Sequence, residues 1–142
     1  MRIVIIALML FFSVSMSGQA KPERPEVLVE YQSISIGESF AFDDYEIQFD
    51  NVLSDSRCPK AVMCVVAGEA VGNVAIYKSG ELISETELTF TPITYLPNQK
   101  GNLFDADDFK VTGVELWPYP KAGHPIPFKS YKLKLLIEEI IK

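Results

Sequence analysis

The chain has 142 residues, with 13 basic against 19 acidic side chains and a formal charge of −6. That length suits one domain with a sizeable core. The acidic balance argues against nucleic acid, whose phosphates demand a basic patch, and gives no reason to expect binding to anionic lipid.

The N-terminus reads as an export signal. Arg2 supplies a short positive region, Ile3 to Val14 is an almost unbroken apolar run, and Ser15 to Ala20 is mostly small and polar. The ending Gly18-Gln19-Ala20 fits a small-x-small cleavage site. The apolar run is shorter than the roughly 20 residues of a membrane-spanning helix. Residues 1–20 are therefore expected to be a cleaved signal peptide. No cysteine closely follows the run to carry a lipid. The expectation is a protein exported to the periplasm or secreted, soluble, without stable membrane insertion, and monomeric.

Residues 21–26 carry two prolines and read as a mobile lead-in. Residues 27–142 form the predicted domain. Val27 to Ile36 is rich in β-branched residues and predicts a strand. Ser39 to Phe42 predicts a short one. Tyr45 to Asp50 alternates, with Tyr45, Ile47 and Phe49 on the apolar face. Asn51 and Val52 break that alternation, so either the strand ends at Asp50 or a bulge resets its register. Leu53 to Asp55 is expected to leave the sheet.

Val65 to Tyr77, small and apolar with Gly68 and Gly72, predicts a central strand. Ser79-Gly80 is a hairpin signal, and Glu81 to Thr91 returns with Leu82, Leu88 and Phe90 as core candidates. Thr94 to Leu103 is read as irregular and Asp105 to Asp108 as an acidic turn. Phe109 to Trp117 predicts a strand broken at Gly113. Pro118, Pro120, Pro125 and Pro127 mark a connection that cannot pair along its length. Ser130 to Glu138 alternates and favours a strand over a helix. The fold expected is all-β: a single-domain antiparallel β-sandwich, Ig-like or a small barrel, with about seven strands and little helix.

Between the third predicted strand and the central one lies D-S-R-C-P-K-A-V-M-C-V-V-A-G-E-A, Asp55 to Ala70, holding both cysteines. Two cysteines in an exported chain predict one disulfide, Cys58–Cys64. Closing so short a ring contributes about 2 kcal/mol before strain. Two thiols and the distant His124 are too few for a zinc site, and redox pairs are usually spaced C-x-x-C. Within the ring, Lys60 to Met63 has room for one helical turn at most.

The passage Tyr45 to Val71, with Phe109 to Pro120 and Ser130 to Ile137, resembles a group of small exported bacterial proteins, often lipoproteins, of no assigned activity. They carry an S-R-C-P…C-x-W-A-G signature. Val66 stands where that signature often has tryptophan, and the lipid-bearing cysteine is missing. The resemblance implies a sandwich and a disulfide.

Arg57 offers a planar fork for a carboxylate or phosphate, or a pairing with Asp55 or Asp50 that ties the loop to the sheet. Ser54 and Ser56 are nucleophiles only beside a base, and His124 is the one histidine. Asp105, Asp107 and Asp108 with Asn102 supply oxygens for Ca²⁺, but without the glycine and terminal glutamate of the known loop pattern. Trp117, Tyr119 and Phe128 flank the proline connection as a peptide- or sugar-binding ledge, or cap the sandwich. The candidate binding residues are thus Trp117, Tyr119, Phe128 and Arg57. No cofactor motif is read. The expectation is a non-enzymatic binding or envelope-associated module with a protein, peptide or glycan partner. One rival is a protease-inhibitor-like module presenting Pro59 to Met63; a hydrolase is the weaker one.

Overall fold

The structure, a computed structural model, describes residues 26–92 and 101–141. The expected signal peptide, most of the expected lead-in, residues 93–100 and residue 142 lie outside the described residues. The described residues form eight strands: β1 (Glu26–Ser35), β2 (Ser39–Phe42), β3 (Tyr45–Asp55), β4 (Ala70–Lys78), β5 (Glu81–Phe90), β6 (Asn102–Asp105), β7 (Phe109–Trp117) and β8 (Lys132–Ile141). The only helical element described is a 3-10 turn, Phe128–Ser130.

The strands form two four-stranded antiparallel sheets, ordered β1-β8-β7-β6 and β2-β3-β4-β5. They pack face to face as a β-sandwich. Alternation decides which side of each strand enters the core. Ile47 and Phe49 of β3, Val74 and Ile76 of β4, and Leu133 and Leu135 of β8 are fully buried. Gly113 of β7 lies where the sheets meet most tightly. A Cβ there would stand 2.5 Å from Leu88 Cδ1 of the opposite sheet. Phe42, Tyr45, Phe104 and Phe109 close one end with ring centroids 4.5 to 5.9 Å apart.

Several expectations need correction. β3 does not leave the sheet at Leu53. It bulges between Phe49 and Asn51 and again between Val52 and Ser54, then pairs Asp55 with Ala70. The first bulge turns Val52 onto the core, as the bulged reading requires. β4 begins only at Ala70, so Val65 and Val66 are not strand residues. Leu82 is exposed rather than core, because the β4–β5 ladder shifts between Ile76 and Tyr77 and the hairpin tip overhangs the sandwich. The eighth strand comes from Asn102–Asp105, read partly as irregular and partly as an acidic turn. The ring segment at Lys60 is a turn, not a helix.

These assignments are testable by stability. Phe49→Ala should cost about 3 to 5 kcal/mol in denaturant melts, the usual range for emptying a buried aromatic site. Leu82→Ala should stay within about 0.5 kcal/mol of the parent. Comparable losses at both positions would show the core to be misplaced.

Candidate functional site

One end of the sandwich gathers the segment after β3 and the proline connection after β7. Asp55 closes β3, and Arg57 lies two residues on, on the same side of an extended chain. Their side chains are 4% and 8% exposed for Arg57 and Asp55. Arg57 Nε donates to Asp55 Oδ1 at 2.8 Å and Nη2 to Asp55 Oδ2 at 2.6 Å, a two-pronged ion pair. The other donors cross to the opposite sheet. Nη1 reaches the Leu116 carbonyl at 2.7 Å and Nη2 the Pro118 carbonyl at 3.0 Å. Tyr131, just before β8, donates its hydroxyl to Asp55 Oδ2 at 3.0 Å.

Burial works to raise the Asp55 pKa, but the hydrogen bonds and charge of Arg57, aided by the Tyr131 hydroxyl, hold it below the ordinary carboxylate value. Burial first, then the bond to Asp55, pushes the Tyr131 hydroxyl up to about 12. Arg57 is therefore placed in the pairing with Asp55. Its guanidinium braces the loop and does not face solvent.

The cysteine segment is stitched at its base. Ser56 N–H donates to the Glu69 carbonyl at 2.7 Å and Cys58 N–H to the Ala67 carbonyl at 2.8 Å. Ser56 Oγ also donates to Glu69 O and accepts from Glu69 N–H. Gly68 has φ +67, and a Cβ there would meet the Ser56 carbonyl at 1.8 Å, so only glycine fits. Cys58 and Cys64 are disulfide-bonded, with Cα atoms 6.0 Å apart. Val62 N–H donates to the Pro59 carbonyl, closing a turn in which Ala61 has φ 65.

The proline connection docks beside this loop. Lys60 N–H donates to the Pro120 carbonyl at 3.1 Å. The Tyr119 ring is half-buried, with Arg57 Cζ 5.0 Å and Lys60 Nζ 5.5 Å from its centroid. Of the three rings on this connection, Trp117 and Phe128 face solvent, at 57% and 52% exposed, while Tyr119 belongs to the brace. The Trp117–Pro118 peptide is cis.

Sequence reading missed that the exposed surface runs past the ring to Val65 and Val66. Met63, Val65 and Val66 are 99%, 105% and 73% exposed, and Val62 is also exposed. A run of valines next to a strand carries the signal of a core, so nothing in the pattern marked it as surface. Exposed Lys60, Lys121 and Lys129 stand on the same two segments, against Glu69 as the one solvent-facing carboxylate there.

His124 and Ser56 are each engaged locally. His124 Nδ1 lies 2.9 Å from the Ala122 carbonyl, on an exposed turn, and Ser56 Oγ is engaged with Glu69. Among the described residues, no three His, Cys, Asp or Glu side chains gather closely enough to hold a metal ion.

Arg57→Ala should cost about 3 to 5 kcal/mol, because it strands the Asp55 charge and two carbonyls in a buried place. A loss below about 1 kcal/mol, the scale of a surface pair, would show the network to be dispensable.

Tyr131 gives a pH signature. Its raised folded value means a stabilisation present below the unfolded pKa of about 10 and lost as pH rises through about 12. Asp55 has the opposite sign: its contribution is present above about pH 4 and lost as pH falls through its lowered folded value. Ultraviolet titration should show a late tyrosine step near pH 12 that Tyr131→Phe removes. A titration with no late step that Tyr131→Phe removes would contradict the buried bond.

Compared with protein-family models, curated proteins and solved structures, the chain finds no match.

Proposed function

We propose that this protein is an exported, non-enzymatic binding module that captures a protein partner with the apolar tip of its cysteine loop. The observation that carries this reading is the exposure of Val62, Met63, Val65 and Val66 together on one braced loop. Scattered exposed apolar residues are ordinary; a contiguous set on a rigid projection marks an interaction surface. The disulfide, the stitched base and Arg57 hold the loop before any partner arrives, which lowers the ordering cost of docking. Trp117 and Phe128 on the neighbouring connection add aromatic area with few rotatable bonds.

Charge narrows the partner. The chain is acidic overall, yet Lys60, Lys121 and Lys129 rim this end. The fitting surface is an apolar socket with an acidic border, where opposite potentials speed encounter. The N-terminal signal pattern and the disulfide support an envelope or extracellular setting.

A protease-inhibitor role draws on the same rigid, exposed ring. What favours partner capture over it is the backbone. The Pro59–Val62 turn and the positive φ of Ala61 curl the ring tightly, whereas a substrate mimic needs an extended segment.

The test pairs capture with stability. Met63→Asp and Val65→Asp should leave the melting midpoint unchanged and abolish capture of a defined envelope partner. Leu82→Asp, at the far end of the sandwich, should abolish neither. Capture that survives the two loop substitutions would remove the loop from the function.

A further inference from the structure

Among the described residues each sheet ends in two open edges, β1 and β6 in one, β2 and β5 in the other. Edges of folded proteins are normally blunted by shortness, proline, charge or a bulge. β2 and β6 have four residues each. β5 carries Glu85 and Glu87 on one face and meets β4 through a register shift. On β1 the one such device is charge, at Glu26 and Glu30. It runs ten residues, pairs with β8 at ten successive positions without a shift, and contains no proline or lysine.

The ladder shows which backbone groups β1 leaves open. Ile36 N–H donates to the Tyr131 carbonyl at 3.3 Å, continuing the register that sets Ile34 against Leu133. Hydrogen-bonded positions in an antiparallel pair recur every second residue. The even residues of β1 therefore turn their backbone to β8, and the odd ones turn theirs to the open side. Ser35 agrees, since its N–H and carbonyl are taken by Glu38. Val27, Val29 and Tyr31 thus offer donors and acceptors at the edge. Their side chains are exposed on the outer face, beside Leu136 and Ile140 of β8.

We propose that β1 pairs antiparallel with β1 of a second copy of this chain, with Val29 on the two-fold axis. Centring there sets Val29 against the partner's Val29 and Val27 against the partner's Tyr31, all with matching open backbone groups. On the other face Leu28 meets the partner's Glu30, and Glu26 the partner's Gln32. No two glutamates are directly opposed. Centring on Leu28 would set Glu26 against the partner's Glu30, and centring on Glu30 would set that residue against its own copy; like charges directly opposite destabilise a pair. Centring on Tyr31 would set Val27 against the partner's Ser35, whose N–H and carbonyl are already taken by Glu38. A centre between residues would set open backbone groups against closed ones. The outer faces then join across the axis, apolar at Val27, Tyr31, Leu136 and Ile140, with Glu138 of β8 beside each Val29. This replaces the expectation of a monomer with an isologous dimer. Glu30 stays diagonal to its copy, so association should strengthen as salt screens that repulsion.

Sedimentation of the purified protein at about 100 µM should show a dimer that dissociates on dilution. Val29→Lys should lower the association constant by about tenfold or more with the melting midpoint unchanged. Cysteine substitutions test the register. Hydrogen-bonded partners stand about 5.5 Å apart at Cα, within disulfide reach, so Val29→Cys should cross-link most of the protein. Val27→Cys and Tyr31→Cys, whose copies would lie about 13 Å apart, should not. A monomer at that concentration, association unaffected by Val29→Lys, or equal cross-linking at all three positions would overturn the proposal.

Discussion

The end of the sandwich that carries the cysteine loop depends on one buried ion pair. Arg57 joins the last residue of β3 in one sheet to the carbonyls of Leu116 and Pro118 in the other. Removing two charges from water is costly, and such pairs stabilise only when every donor and lone pair is met. Here Nε, Nη1 and Nη2 all have acceptors, and the second carboxylate oxygen also receives the Tyr131 hydroxyl. Lysine would not serve, because a point charge cannot span a carboxylate and two carbonyls at once.

The two ends of the sandwich are closed by different chemistry. The far end is sealed by the packed rings of Phe42, Tyr45, Phe104 and Phe109. The near end is closed by the polar brace, which fixes its geometry without needing apolar side chains from the loop. The valines of the cysteine segment are left in solvent as a result. The disulfide shapes the ring, Gly68 lets the returning strand pass against Ser56, and Tyr119 fills the space under Arg57 and Lys60. Each of these groups acts on position; the surface they position is apolar.

The fold was legible where a strand has one wet face. Tyr45 to Phe49 and Tyr131 to Ile137 alternate, and their buried residues are the ones that alternation names. It was less legible where the ladder bulges, because one extra residue reverses the face of everything after it. Leu82 was misplaced for that reason. β6 is only four residues, too short to show a period. Of the candidate site, the disulfide was readable from the chain's two cysteines and the Arg57 pairing as a choice between Asp55 and Asp50, while the crossing to Leu116 and Pro118 spans about 60 positions and leaves no local pattern. The exposed tip was hidden because Val65 and Val66 have the composition of a core strand and the environment of a loop apex.

The central claim is that Arg57 makes the loop end rigid, and amide hydrogen exchange tests it most directly. The N–H groups of Ser56, Cys58 and Lys60 are all bonded across the loop base or to the proline connection. In the native protein they should exchange at least about 100-fold more slowly than a free peptide. In Arg57→Lys the Cys58 and Lys60 amides should lose that protection while Ile47 and Ile76 in the core keep theirs. Free-peptide exchange at Cys58 and Lys60 in the native protein, or protection there that Arg57→Lys leaves intact, would contradict the account.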